Sequence, residues 1–119
     1  MANTFSLHIA GLRTVSEMNE RSHWAVRNKR KREQQRAVFF AWRQTAFGKS
    51  LPKLPVLVRL TRFGPRLLDG DNLQSAFKGI RDEVAKLLKV DDGDVSTIQF
   101  EYDQRIDSEY SIAIQVEGR

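Results

Sequence analysis

The chain contains no cysteine. That excludes a disulfide framework, a thiolate zinc site and a cysteine nucleophile. Long apolar runs are missing too, and no stretch approaches the roughly 18 residues needed to cross a bilayer. Met1-Ala2-Asn3-Thr4 leads straight into an alternating pattern, with no positively charged segment ahead of an apolar one. A soluble, cytoplasmic protein is therefore expected. Histidine is scarce: His8 falls in a strand pattern and His23 in a loop, which is not the arrangement of a metal-binding pair. Ser16, Ser22 and Ser75 lack a His/Asp context, so nothing supports serine-type hydrolysis. Gly64-Pro65 and Gly70 are isolated, so no glycine-rich phosphate loop is present.

What is present is charge, unevenly placed. At 119 residues the chain suits one domain with a single core and no need of staples. Residues 1–50 hold ten Lys/Arg against three Asp/Glu, whereas residues 91–119 hold two against eight. The basic excess peaks in Arg27-Asn28-Lys29-Arg30-Lys31-Arg32, with Arg36 a turn further on. Such an excess suits a polyanion-binding surface, because each phosphate neutralised releases condensed counterions. A solvated helix face, or pairing of the basic half with the acidic half in a dimer, is the competing explanation. Trp24, beside the basic run, is the aromatic best placed to touch nucleic acid.

Hydrophobic periodicity predicts an α+β fold of order β-α-β-α-β-β, with two helices packed on a small mixed sheet and a single domain over residues 1–119. Phe5, Leu7 and Ile9 alternate with Ser6 and His8 as a half-buried strand closed by Gly11. A helix is expected from Ser22 to Phe47, with Val38, Phe39, Trp42, Ala46 and Phe47 on its apolar face and Gly48 and Pro52 as the stop. Leu54 to Thr61 reads as the second strand. Asn72 to about Lys89 reads as the second helix, with Leu73, Phe77, Ile80, Val84 and Leu87 or Leu88 as its buried stripe. Ser96–Asp103 and Tyr110–Val116 read as a terminal hairpin around Arg105–Ser108.

Two acidic clusters flank that second helix. Leu68-Asp69-Gly70-Asp71-Asn72-Leu73-Gln74 precedes it and Val90-Asp91-Asp92-Gly93-Asp94-Val95 follows it. Asp71 stands where an N-cap is expected. Asp69, two residues earlier on an extended approach, would project the same way. Turn and cap chemistry explains each cluster alone; a site for a hard cation explains both together, since Mg²⁺ takes oxygen ligands and few carboxylates. A helix of about 18 residues is roughly 27 Å long. The clusters therefore meet only if the loop folds back or the helix is shorter or broken.

The spacing Asp69-Gly70-Asp71-Asn72-Leu73, an amphipathic helix, then Asp91-Asp92 resembles the pattern of RusA-like Holliday junction resolvases. Similarity extends to the length, the element order and the stretch from Val15-Ser16-Glu17-Met18-Asn19 through Trp24. The resemblance implies a homodimeric, Mg²⁺-dependent endonuclease that nicks branched, four-way DNA symmetrically in recombination or repair. It assigns metal-binding and catalytic roles to Asp69, Asp71 and Asp92, with Asp91 a neighbour. Two departures stand out. Ser75 occupies the position of the family's lysine, leaving Lys78 and Arg81 as the nearest helix cations. Leu67-Leu68 replace the basic residues before the first Asp, leaving Arg66 as the nearest. On this reading Lys78 contacts phosphate, and Arg27, Lys29, Arg30, Lys31, Arg32 and Arg66 hold the DNA. A non-catalytic nucleic-acid-binding module of the same fold, or a protein-interaction domain, are the alternatives.

Overall fold

In the computed structural model, residues 4–16 and 24–119 are described. The stretch 17–23, which includes His23, Ser22 and most of the family-like loop, lies outside them. Phe5 and Leu7 of strand β1 (Thr4–Ala10) are buried while Ser6 and His8 are exposed, the alternation of a strand with one face on the core. Helix α1 (Trp24–Ala46) buries only Gln34, Val38 and Trp42, a stripe four residues apart on one side of the helix. The Trp42 ring packs edge-on against Phe5 at 4.8 Å between centroids. Phe47 does not share that face: the helix ends one residue earlier and Phe47 is 87% exposed. Gly48, at φ 72°, completes the stop.

Strand β2 (Val56–Gly64) is one of the two inner strands of the sheet, and its inward row Val56, Val58 and Leu60 is fully buried. The ladder starts at Val56 rather than Leu54 because Pro55 has no N–H to give; the Val56 N–H donates to the Thr97 carbonyl at 2.9 Å. Strands β3 (Ile98–Ile106) and β4 (Ser111–Gly118) follow the helical segment. Sheet order is β1-β4-β2-β3, with β2 parallel to β3 and antiparallel to β4. The expected terminal hairpin is therefore corrected, because β2 lies between its two arms. Alternation fixes which face of a strand is buried, not which strand lies beside it. β2 and β4, with their buried rows of Val56, Val58 and Leu60 and of Ile112, Ile114 and Val116, take the inner positions, while β3, with Glu101, Asp103 and Arg105, takes an edge, where charged side chains discourage further pairing. The connection crosses the end of β2, held by the Asp107 N–H on the Gly64 carbonyl at 2.9 Å.

A parallel pair needs a crossover of a dozen residues or more. Here it consists of helices α2 (Gly70–Ala76) and α3 (Lys78–Leu87), separated at Phe77. The single expected helix is thus broken, with Phe77 at φ −97°, ψ 2° and its ring fully buried. The predicted stripe otherwise holds: Leu73, Ile80 and Val84 are buried and Leu87 and Leu88 pack against the core. The α+β class and mixed sheet agree with expectation. Among the described residues, no helix is long and apolar enough to cross a membrane.

Candidate nucleic-acid and metal site

The sheet's inward rows explain how the first acidic cluster is held. Register aligns Leu7, Ile114, Leu60 and Tyr102 across the four strands, and the next row aligns Ile9, Ile112, Arg62 and Gln104. Where the row turns polar, its side chains reach for backbone. Gln104 accepts from the Leu68 N–H at 2.9 Å and donates to the Leu68 carbonyl at 2.7 Å. The Arg62 guanidinium donates to the Arg66 carbonyl at 2.6 Å and to the Thr14 carbonyl at 3.3 Å. Gly64 admits this guanidinium, since a Cβ there would lie 3.1 Å from it. Burial pushes the Arg62 pKa below its ordinary value; Tyr110 opposes that shift and Arg13 adds to it.

The approach so fixed delivers Asp69 to the N-cap of α2 in an extended conformation, φ −61° and ψ 158°. Asp69, not Asp71, is the cap residue, and its side chain makes no capping bond. Asp71 lies in the first turn, where a carboxylate suits the positive end of the helix. Ser16 Oγ donates to Asn72 Oδ1 at 2.6 Å, tying the segment after β1 to the start of α2.

Asp71 and Asp92 line one depression of about 480 Å³, together with Ser75, Lys78, Arg81, Asp82 and Tyr102. Both geometric conditions for their meeting are satisfied. The helix is broken at Phe77, and the loop after α3 folds back: Arg81 donates to the Asp92 carbonyl at 3.1 Å. That return starts at Lys89, whose φ of 61° is left-handed. The Val90 N–H then reaches the Ala85 carbonyl and the Lys89 N–H the Lys86 carbonyl, the paired closure that ends many helices. Asp94 closes the loop by accepting from the Ser96 hydroxyl at 2.6 Å and the Ser96 N–H at 3.1 Å, which holds its carboxyl below the usual range.

Arg81 is the most constrained cation of the site. It donates to the Tyr102 hydroxyl at 2.9 Å and lies 4.5 Å over the Phe100 ring. Its Nε stands 3.3 Å from Asp92 Oδ2, an ion pair without hydrogen-bond geometry. With side chains 32% and 40% exposed, such a pair is worth about 0–1 kcal/mol, so Asp92 can exchange partners cheaply. Lys78 and Arg81, the nearest helix cations, both reach the depression, and Ser75 lies on its wall.

The other expected residues are distributed as follows. Asp69 is exposed and does not line the depression, and Arg66 is exposed in the preceding turn. Among the described residues, no three acidic or imidazole groups gather closely enough to hold a metal ion between them. Three carboxylates, Asp71, Asp82 and Asp92, line the depression, and Asp82 is paired with Lys31. Mg²⁺ is usually held by one or two carboxylates with waters and phosphates, so Asp71 and Asp92 are the residues that would fit it. His8 is occupied elsewhere, with Nε2 3.1 Å from Ser111 Oγ.

The basic run divides by helical period. Arg27 and Lys31 face α3 across a groove that Lys78 also lines, whereas Lys29 and Arg30 face the segment after β1, beside Arg13. Arg32 is exposed outside both. No acid stands in the first turn of α1, so these cations crowd the positive end of the helix against its dipole. Sequence reasoning missed Arg62, Gln104, Asp82 and the Tyr102 hydroxyl as parts of the site. Extending the alternation of the second and third strands by one step would have shown Arg62 and Gln104 as inward-facing polar residues.

In comparison with known proteins, the chain matches no family model and no curated sequence.

Proposed function

We propose that this protein is a Mg²⁺-dependent, structure-selective DNA endonuclease of the RusA type, acting in the cytoplasm as a homodimer on four-way junctions. One observation carries the proposal: Asp71 and Asp92, from opposite ends of the α2–α3 segment, share a depression with two cations, Lys78 and Arg81. Carboxylates for a hard cation thus stand beside groups that can hold a phosphate. A two-fold dimer would match the near two-fold symmetry of a junction.

The chemistry asked of the site is hydrolysis. A bond forms between a water oxygen and phosphorus, the bond to one sugar oxygen breaks, and that oxygen takes up a proton. Bound Mg²⁺ lowers the pKa of its water and offsets charge developing on the phosphate. Asp71 and Asp92 would hold the ion in this scheme, while Asp69 stands at the N-cap of α2, outside the depression. Lys78 and Arg81 fix the phosphate oxygens, with Arg81 pre-aimed by Tyr102 and Phe100. The α1 cations supply sequence-independent grip on the backbone.

A second reading, a DNA-binding module of the same fold without catalysis, is favoured by the Arg81–Asp92 pair and by the absence, among the described residues, of three acidic or imidazole groups close enough to hold a metal ion. Incubation of a labelled four-way junction with and without Mg²⁺, beside Asp71→Asn, separates the two. The expected result is paired nicks that require both Mg²⁺ and Asp71, with junction binding in chelator retained by the variant. Cleavage that survives Asp71→Asn overturns the site assignment. Tight binding with no cleavage by either protein establishes the second reading.

A further inference from the structure

Lys78 lines two depressions at once. One holds Asp71 and Asp92; the other is a groove of about 280 Å³ between α1 and α3, lined also by Arg27, Asn28, Lys31 and Gly79. The two are joined a second time by Lys31, whose Nζ lies 3.5 Å from Asp82 Oδ2, a residue of the carboxylate depression. Cations therefore lead from the N-terminal half of α1 to the carboxylates, Arg27, Lys31, Lys78 and Arg81, with Asp82 paired to Lys31 beside them. Arg27 and Lys31 are one turn apart, about 6 Å along the axis. Among the described residues no aromatic ring lines the groove, so it offers charge without a stacking platform.

We infer that the groove between α1 and α3 is the track for one DNA strand, whose phosphates sit on Arg27 and Lys31 and pass Lys78 into the carboxylate depression. The inference rests on the nucleic-acid reading proposed above and adds a path to it. It also assigns a character to the binding: the strand in the groove is held by its phosphates and not read by its bases. Close passage of α1 over Gly79 is what gives the groove its floor, since a Cβ at Gly79 would stand 2.9 Å from Lys31 Cγ.

The test is equilibrium binding of the full chain to a labelled four-way junction by fluorescence anisotropy, in chelator, over a range of salt. No cleavage is needed for the readout. The variants are Lys78→Gln, the double Arg27→Gln with Lys31→Gln, and a control double, Lys49→Gln with Lys53→Gln. The control removes equal charge from exposed positions beyond the far end of α1. Each phosphate that is no longer neutralised lowers the slope of log K against log salt by about 0.9. Lys78→Gln is therefore expected to reduce the slope by about one such step and the groove double by about two, equally for junctions of different flanking sequence, while the control keeps the wild-type slope. Wild-type binding with groove and control doubles indistinguishable overturns the track and leaves the nucleic-acid reading intact. Base-dependent weakening in the groove double overturns the phosphate-only character. Failure of the wild type to bind any junction or single strand at low salt overturns both the reading and the track.

Discussion

Lys89 adopts a left-handed conformation, at φ 61°, in which a side chain is a liability. The conformation costs a non-glycine residue about 1–2 kcal/mol, and glycine gives back about 0.4–1 kcal/mol through the freer unfolded chain. Lys89→Gly is accordingly expected to stabilise the fold by about 0.5–1 kcal/mol, seen as a higher urea midpoint at unchanged slope. A lower midpoint would show that the Lys89 side chain contributes more than its backbone strains. The position matters because it is where the chain turns back toward Arg81, so that Asp92 reaches the depression. The sequence places the end of the helix at about Lys89 but does not mark the left-handed turn there, since lysine stands where glycine is usual. By contrast, Lys78 and Arg81 were legible as the helix cations nearest Ser75, because helical spacing puts them within about two turns of it.

At the scale of elements, two glycines of the same segment should respond in opposite ways. Gly79 lies against α1, where an added Cβ would meet Lys31 Cγ at 2.9 Å and Gln34 Oε1 at 3.3 Å. Gly70, at the start of α2, has nothing within 4 Å of that position. Gly79→Val is expected to cost about 1–3 kcal/mol by overpacking, whereas Gly70→Ala is neutral or slightly stabilising because alanine is the better helix former. Chemical denaturation of both variants checks this; equal effects would mean that α1 and α3 separate freely at their crossing. The element types were legible because periods of 2 and 3.6 survive in the sequence. Strand order was not, because Ile98, Phe100, Ile112 and Ile114 fit either a hairpin or two flanks of β2. The break at Phe77 was equally hidden: Leu73, Phe77, Ile80 and Val84 keep helical spacing through it. That break, with the returning loop, is what brings Asp71 and Asp92 to one depression.

For the whole molecule the question is whether its net charge of +5 acts as a diffuse field or through direct touch. The uncovered face of the sheet carries Glu101, paired with Arg59 at 3.0 Å, and Glu117 at the far end of β4. Neither lines the groove or the carboxylate depression. Glu101→Gln with Glu117→Gln raises the net charge to +7, two units above the wild-type value. Exposed charges separated by more than a Debye length, about 10 Å at 0.1 M, are largely screened from one another. If DNA lies on the helical side, removing these two acids should therefore leave both the affinity and the slope of log K against log salt near their wild-type values, because the slope counts phosphates neutralised at the binding surface. Junction affinity measured from about 0.05 to 0.2 M salt gives both quantities from one titration. Unchanged affinity and slope mean that the positive charge acts by direct touch on the helical side of the molecule. Tighter binding with a steeper slope would mean that DNA comes within reach of the sheet face as well. The helices would then be one wall of a larger binding surface, and the acidic residues of β3 and β4 would act to limit how far the strand spreads across it.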